Sequence, residues 1–389
     1  MLLLQGCGNV PARRPAAQVP PTPPAPTVVE PLPAVPPPGP AAAAGPATAA
    51  LLLPLSGGNA TLGQGMLDAA GMAIFDIKDS HLTLLPRDTG GTPDGAVAAA
   101  RDAIDHGARI IIGPLTAAEV QAVKPIAAEH NVPILAFSTA AALAGNGTYL
   151  LGFLPDDEVR RIVSFAHGKG VKRIAFLGPG TAYGHIVADS LKSAAAEQGV
   201  EVGQVVFFDP AVPQPIEAVR HLGKVDGGRV TLDGDALMAP MGSQQIKAIG
   251  PLLLSNGIEP GKVRFLGTGL WDDPSLVGEP VLEGAWYAAP DPAGRADFER
   301  RFQALHGRPP PRLSTLAYDA TALAAALSRG PEGADYSPAA LGNPNGFLGL
   351  DGVFRLRADG RGERGLAVLE IHRTGVLVVS PGAQSFTGF

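Results

Sequence analysis

The residues best placed to do chemistry in this sequence are four small hydroxyls and one phenol: Ser56, Thr116, Ser138, Thr139 and Tyr183. Each follows a short apolar run and a turn, in Pro54-Leu55-Ser56, Gly113-Pro114-Leu115-Thr116, Ala136-Phe137-Ser138-Thr139 and Gly180-Thr181-Ala182-Tyr183. Hydroxyls beside backbone amides and helix N-termini suit the binding of a carboxylate or another polar group. Nothing among them resembles a nucleophile with its base. Each also has a plainer reading. Ser56 and Ser138 read as turn or cap residues, Thr116 as a helix N-cap, and Tyr183 as a ring packed in a cleft.

Other motifs fail on their own chemistry. Gly58 and Gly63 have the spacing of a phosphate-binding loop, but Gln64 stands where Lys is required and Gly65 where Ser or Thr is required. Gly178-Pro179-Gly180 follows a strand as a dinucleotide fingerprint would, yet Tyr183 replaces the third glycine and Pro179 lacks an amide donor. The eight histidines are scattered, with no metal-ligand spacing. Asp156-Asp157-Glu158 opens a predicted helix, where capping and the helix dipole account for it. No cofactor and no metal is expected.

The elements that must position these residues alternate. Residues 49–77 open with an apolar strand, turn at Ser56-Gly57-Gly58, and continue as a helix with Leu62, Met66, Ala69, Ala73 and Ile77 on one face. A similar rhythm predicts strands at 82–87, 109–113, 132–137, 149–153, 173–177, 200–208, 235–240, 263–267 and 284–289. The expected helices are 94–106, 117–130, 155–168, 186–198, 243–256, 295–306 and 314–329. Residues 209–235 carry little signal. Strands at 352–356, 366–372 and 376–379 close the chain. Such alternation implies α/β architecture with parallel sheets, and 389 residues call for two lobes.

Net charge is −6 with no basic block, so nucleic acid is not an expected partner. One cysteine, Cys7, excludes an internal disulfide framework. Leu4-Gln5-Gly6-Cys7 resembles a bacterial lipobox, with 1–7 as the remnant of a signal peptide and Cys7 as the lipidation site. Residues 8–48 read as a Pro/Ala-rich tether. The 14 prolines within 11–46 favour an extended chain that could reach roughly 100 Å. The lipid would be the membrane attachment.

Leu51-Leu-Leu-Pro-Leu-Ser-Gly57 with Leu62-Gly-Gln-Gly65, Ile112-Gly-Pro-Leu-Thr116, Pro133-Ile-Leu-Ala-Phe-Ser-Thr139, Ala182-Tyr-Gly184 and Ala317-Tyr-Asp-Ala320 together resemble type I periplasmic binding proteins of the leucine-binding kind. The resemblance spans about 49–380. It implies two Rossmann-like lobes joined by three crossovers, near Leu150–Pro155, Gly267–Ala289 and Gly330–Gly352. Lobe 1 would comprise 49–152 and 286–335, and lobe 2 would comprise 153–285 and 336–389. By the same resemblance, Thr116, Ser138, Thr139 and Tyr183 would hold a small amino-acid-like ligand between the lobes, with Ser56 beside them. A non-enzymatic receptor serving an ABC permease is one implied function.

Two departures point elsewhere. Amino-acid receptors of this kind place an acid just after the strand equivalent to 263–267, where this chain has Gly269, with Asp272 and Asp273 further on. The compact Asp76-Ile-Lys-Asp-Ser, the tether and the ending Val378-Val-Ser-Pro-Gly-Ala-Gln-Ser-Phe386 resemble the penicillin-binding protein activator branch. That branch implies a lipoprotein regulator whose partner is a peptidoglycan synthase. Either function implies a periplasmic, lipid-anchored protein. Gly8, in place of an inner-membrane-retaining Asp, tilts the anchor towards the outer membrane.

Overall fold

The computed structural model describes residues 46–77, 81–330 and 333–386. Cys7, nearly all of the expected tether and residues 78–80 lie outside these residues. The first sheet comprises β1 (Ala47–Leu53), β2 (Leu82–Asp88), β3 (Ala108–Ile112), β4 (Ile134–Ala136) and β5 (Thr148–Leu150), interleaved with α1 (Ala60–Asp76), α2 (Pro93–Asp105) and α3 (Ala117–Glu129). All five strands run parallel, in the order β2-β1-β3-β4-β5. β1 is central, which explains its unbroken apolar run. From Ala49 to Leu53 every side chain is fully buried, because helices cover both faces.

The chain then crosses at 151–154 into α4 (Pro155–Gly168), β6 (Arg173–Pro179), α5 (Ala182–Gln198) and β7 (Glu201–Phe208). Residues 209–235, silent in sequence, fold as α6 (Ile216–Arg220) and a hairpin of β8 (Gly223–Asp226) and β9 (Arg229–Leu232). Its two-residue turn, Gly227-Gly228, has φ of 55° and 81°, as a tight hairpin turn demands. β10 (Ala236–Met238), α7 (Ser243–Ser255), β11 (Arg264–Gly267) and β12 (Trp286–Ala289) follow.

Two expected lobe boundaries move. Residues 286–289, assigned to lobe 1 by sequence, are a strand of the second sheet, paired parallel to β11 and antiparallel to a late strand, Ala367–His372. The second crossover therefore falls after Ala289. Next come α8 (Pro292–His306), α9 (Ser314–Leu327), α10 (Pro338–Leu341), β13 (Phe347–Gly349), β14 (Gly352–Leu356) and β15 (Gly362–Arg364). Residues 336–364, expected in lobe 2, join the first core instead. Tyr336, Leu341, Phe354 and Leu356 pack with Leu51, Leu135 and Leu316, and Leu150 forms a bridge to Arg361. The third crossover is thus at Gly365-Leu366, not within 330–352. β16 (Ala367–His372) and β17 (Gly375–Ser380) complete a second sheet ordered β17-β16-β12-β11-β10-β6-β7.

The helix that carries Tyr183 starts earlier than its sequence pattern suggests. Thr181 caps α5, its hydroxyl accepting from the Gly184 amide at 3.3 Å, so Tyr183 sits in the first helical turn and not in an exit loop. Gly184 lets that turn lie on the end of β6. A Cβ at this position would stand 1.9 Å from the Pro179 carbonyl oxygen. We expect Gly184→Ala to displace the start of α5 and lower stability by about 1–3 kcal/mol, read by denaturant unfolding. A spacer role without close packing would leave the unfolding midpoint unchanged.

Candidate functional site

A cavity of ≈ 910 Å³ is lined from both sheets' helices and loops. Thr139, from the loop after β4, and Tyr183, on α5, both line it. The sequence-predicted residues therefore divide. Ser138 is buried and turns its hydroxyl to the Ala140 amide at 3.2 Å. Thr116 caps α3: its hydroxyl accepts from the Glu119 amide, and Glu119 accepts from the Thr116 amide at 2.8 Å. Ser56 is exposed and donates its amide to Asp88 at 3.1 Å. Asp88 lies below the usual carboxylate range through the Ser56 hydroxyl and then the Gly90 amide. None of these three lines the cavity.

On the second-sheet side, the Tyr183 hydroxyl lies 2.8 Å from that of Thr268. Burial, and then the charge of Glu158, push the phenol's pKa up. Glu158 itself lines the cavity and is only 4% exposed. Its Oε2 accepts from the Gly269 amide at 3.0 Å. Burial pushes this carboxyl up to about 8, against the opposing pull of the Gly269 amide and Arg312, while Asp157 and Asp272 raise it further. The reading of 156–158 holds in part: all three acids lie in the first turn of α4, as the helix dipole favours, but none caps it, because the N-cap is Leu154 with no side-chain cap. Asp156 accepts from Ser190, Asp157 from Arg160, and Glu158 faces the cavity. One sequence signal could have exposed Glu158. It is in register with Ile162 and Ala166, so a carboxyl lies on the buried stripe of its helix.

Asp272, just beyond β11, joins the two sides. One oxygen takes Arg295 Nη2 and the other takes Arg312 Nε, both at 2.8 Å. Arg295 lies on α8 and Arg312 just before α9. Arg312 is anchored in turn by Asp351, with Nη2 to Oδ1 at 3.0 Å, and its guanidinium lies 4.6 Å from the Phe153 ring in the first crossover. Burial works to raise Asp351, but Arg312 and Arg364 outweigh it and hold the carboxyl low. Sequence reasoning noted Asp272 without its partners, which lie 23 and 40 positions away.

A family model described as periplasmic binding protein matches residues 46–375. The chain belongs to the periplasmic binding protein family. Its two α/β lobes with three crossovers are the type I arrangement of that family. A protein from Rhodospirillum rubrum described as a branched-chain amino acid ABC transporter superposes with a TM-score of 0.75 at 19% identity, covering 86% of this chain and 99% of its own. A solute binding protein of an ABC transporter from Rhodopseudomonas palustris BisB5, solved with 3,4-dihydroxy benzoic acid, gives 0.64 at 15%, covering 86% and 98%. The branched-chain amino acid transporter substrate binding protein of Streptococcus pneumoniae, solved with isoleucine, gives 0.61 at 16%, covering 86% and 99%. At these identities the likeness is one of fold. An uncharacterised protein of Rickettsia prowazekii (strain Madrid E) is 25% identical over 175 residues, and the match spans 44% of this chain and 46% of that relative.

In this periplasmic binding protein, removing Asp272 would leave the buried Arg295 and the half-buried Arg312 without their shared carboxylate. Asp272→Ala is expected to lower stability by about 3–5 kcal/mol in denaturant unfolding. The exposed Asp189–Lys192 pair provides the control, and Asp189→Ala should change little.

Proposed function

We propose that this chain is a non-enzymatic solute-binding receptor of the cell envelope that closes on a small amino-acid-like ligand. The observation that carries the reading is that Thr139 and Tyr183, from different lobes, line one cavity. Polar groups facing each other across largely apolar walls suit a small molecule with a polar head. An ABC permease would be the receiving partner. Calorimetric titration of the twenty amino acids tests this. At least one should bind, and Tyr183→Ala should weaken it about tenfold or more. Ser56→Ala and Thr116→Ala should leave affinity unchanged, because those residues serve the turn and the α3 cap. Thr116→Ala should instead lower stability by about 1 kcal/mol.

A second reading, regulation of a peptidoglycan synthase by direct contact, is favoured by Asp272. The acid that follows β11 is taken up by two arginines of its own chain, so it is not available to a ligand amine. Failure of every amino acid to bind, with binding to a purified synthase from the same cell, would select this reading. Both readings place the protein at a membrane through Cys7. Cys7→Ser is expected to move it to the soluble fraction, and continued sedimentation with membranes would exclude the lipid anchor.

A further inference from the structure

Most carboxyls around the cavity are matched with cations. Asp157 pairs with Arg160, Asp272 with Arg295 and Arg312, Asp351 with Arg312, and Asp319 with Arg364. Asp273 and Glu158, which also line the cavity, have no such partner among the described residues; Asp273 is taken up locally, accepting from the Ser275 amide at 2.8 Å, and Glu158 is the more buried of the two. Among the described residues no Lys, Arg or His lies within salt-bridge distance of the Glu158 carboxyl, and the only hydrogen bond that carboxyl makes is from the Gly269 amide to Oε2. Its position is nonetheless built. A Cβ at residue 269 would stand 2.5 Å from Glu158 Oε1, so only glycine there lets the carboxyl lie against the loop after β11. The groups around it are Arg312 before α9, Asp272 after β11, Tyr183 on α5, Asp157 on its own helix, and Arg364 on β15 beside the same small void. The cations in this set are already engaged by other carboxylates.

We propose that Glu158 is the residue that binds the amine of the ligand, and that docking of the amine drives a proton from the Glu158 carboxyl into solvent. The proposal rests on the receptor reading above and names the part of the ligand that the second lobe recognises. The step balances: a protonated carboxyl and an aqueous ammonium become a carboxylate–ammonium pair and one released proton. A carboxyl buried without a counter-charge stays protonated, and a cation at Oε1 favours the charged form. With the carboxyl titrating at about 8, binding below that pH must expel a proton.

The sign is testable. Affinity for an amine-bearing ligand rises with pH until the free carboxyl is ionised, then levels off. A ligand that merely accepts a hydrogen bond from the acid form would show the opposite trend. We would titrate the full chain with the twenty amino acids and with the acids obtained by deleting their amino groups, from about pH 6 to about pH 8. An amino acid that binds should tighten by nearly tenfold from about pH 6 to about pH 7, and its deaminated counterpart should bind more weakly without that slope. Glu158→Gln should abolish the slope and leave the deaminated acid unaffected. In the unmodified chain, heats measured at about pH 7 in phosphate and in Tris should differ by the release of about one proton per ligand, a readout that needs no variant. Amino-acid binding with no pH slope and no proton release would overturn the proposal while leaving the receptor reading intact. If no compound of either series binds, the receptor reading falls, and the proposal with it.

Discussion

The Asp272 carboxylate, shared by Arg295 and Arg312, is the contact on which the relation between the two lobes depends. It is a largely buried interaction, with side-chain exposures of 10%, 9% and 27% for Asp272, Arg295 and Arg312, so water screens it less than a surface pair. It is also placed at the joints. Arg295 lies in the first turns after the second crossover, and Arg312 covers Phe153 in the first. Asp351, which fixes Arg312, precedes β14, in the segment leading to the third. A rotation about the crossovers that separated these groups would leave buried charges unpaired. The network therefore favours one lobe arrangement and holds the walls of the cavity in place.

The same pairing decides the electrostatics inside the cavity. Two guanidiniums would otherwise present strong positive charge to a ligand, but Asp272, Asp351 and Glu299 neutralise them. What remains is a wall of Tyr183, Leu270, Tyr287 and Phe153 with the Glu158 carboxyl set into it. The hydroxyls that looked equivalent in sequence have separated by role. Thr116 and Ser138 are consumed by local backbone amides, as is common for such residues near helix starts and turns. Thr139 and Tyr183 are left to face the cavity.

Local pattern made much of this fold legible. β1 reads as a buried parallel strand because its apolar run is bounded by turn residues, and the start signal Pro155-Asp156-Asp157 predicts a helix over 155–168, as α4 is. What local pattern could not settle is which distant strand a segment pairs with. Residues 286–289 are apolar enough for either lobe, and only pairing with β11 and β16 fixes them in the second. The 336–364 segment depends likewise on burial of Phe354 and Leu356 against a core that includes Leu51, Ile112 and Leu135, far earlier in the chain. The cavity was half legible. Thr139 and Tyr183 stand in recognisable motifs, whereas Glu158 was misread because an acid at a helix start has a ready explanation in the dipole. Its true setting is visible only once β11 lies beside α4.

A latch of this kind also constrains how a ligand could act. A ligand shifts a lobe equilibrium only by its difference in affinity for the open and closed forms. Where internal ion pairs already favour one arrangement, little ligand energy is needed to reach it, and the ligand's contacts appear mainly as affinity. Any opening of the lobes that separates Asp272 from its arginines, however, loses that pairing, and the loss opposes the opening. A receptor that must signal occupancy to a permease gains from a weak latch. A regulator that presents a fixed surface to a protein partner gains from a strong one. The strength of the Asp272 contact is therefore the physical quantity on which the two functional readings diverge, within one fold and one cavity.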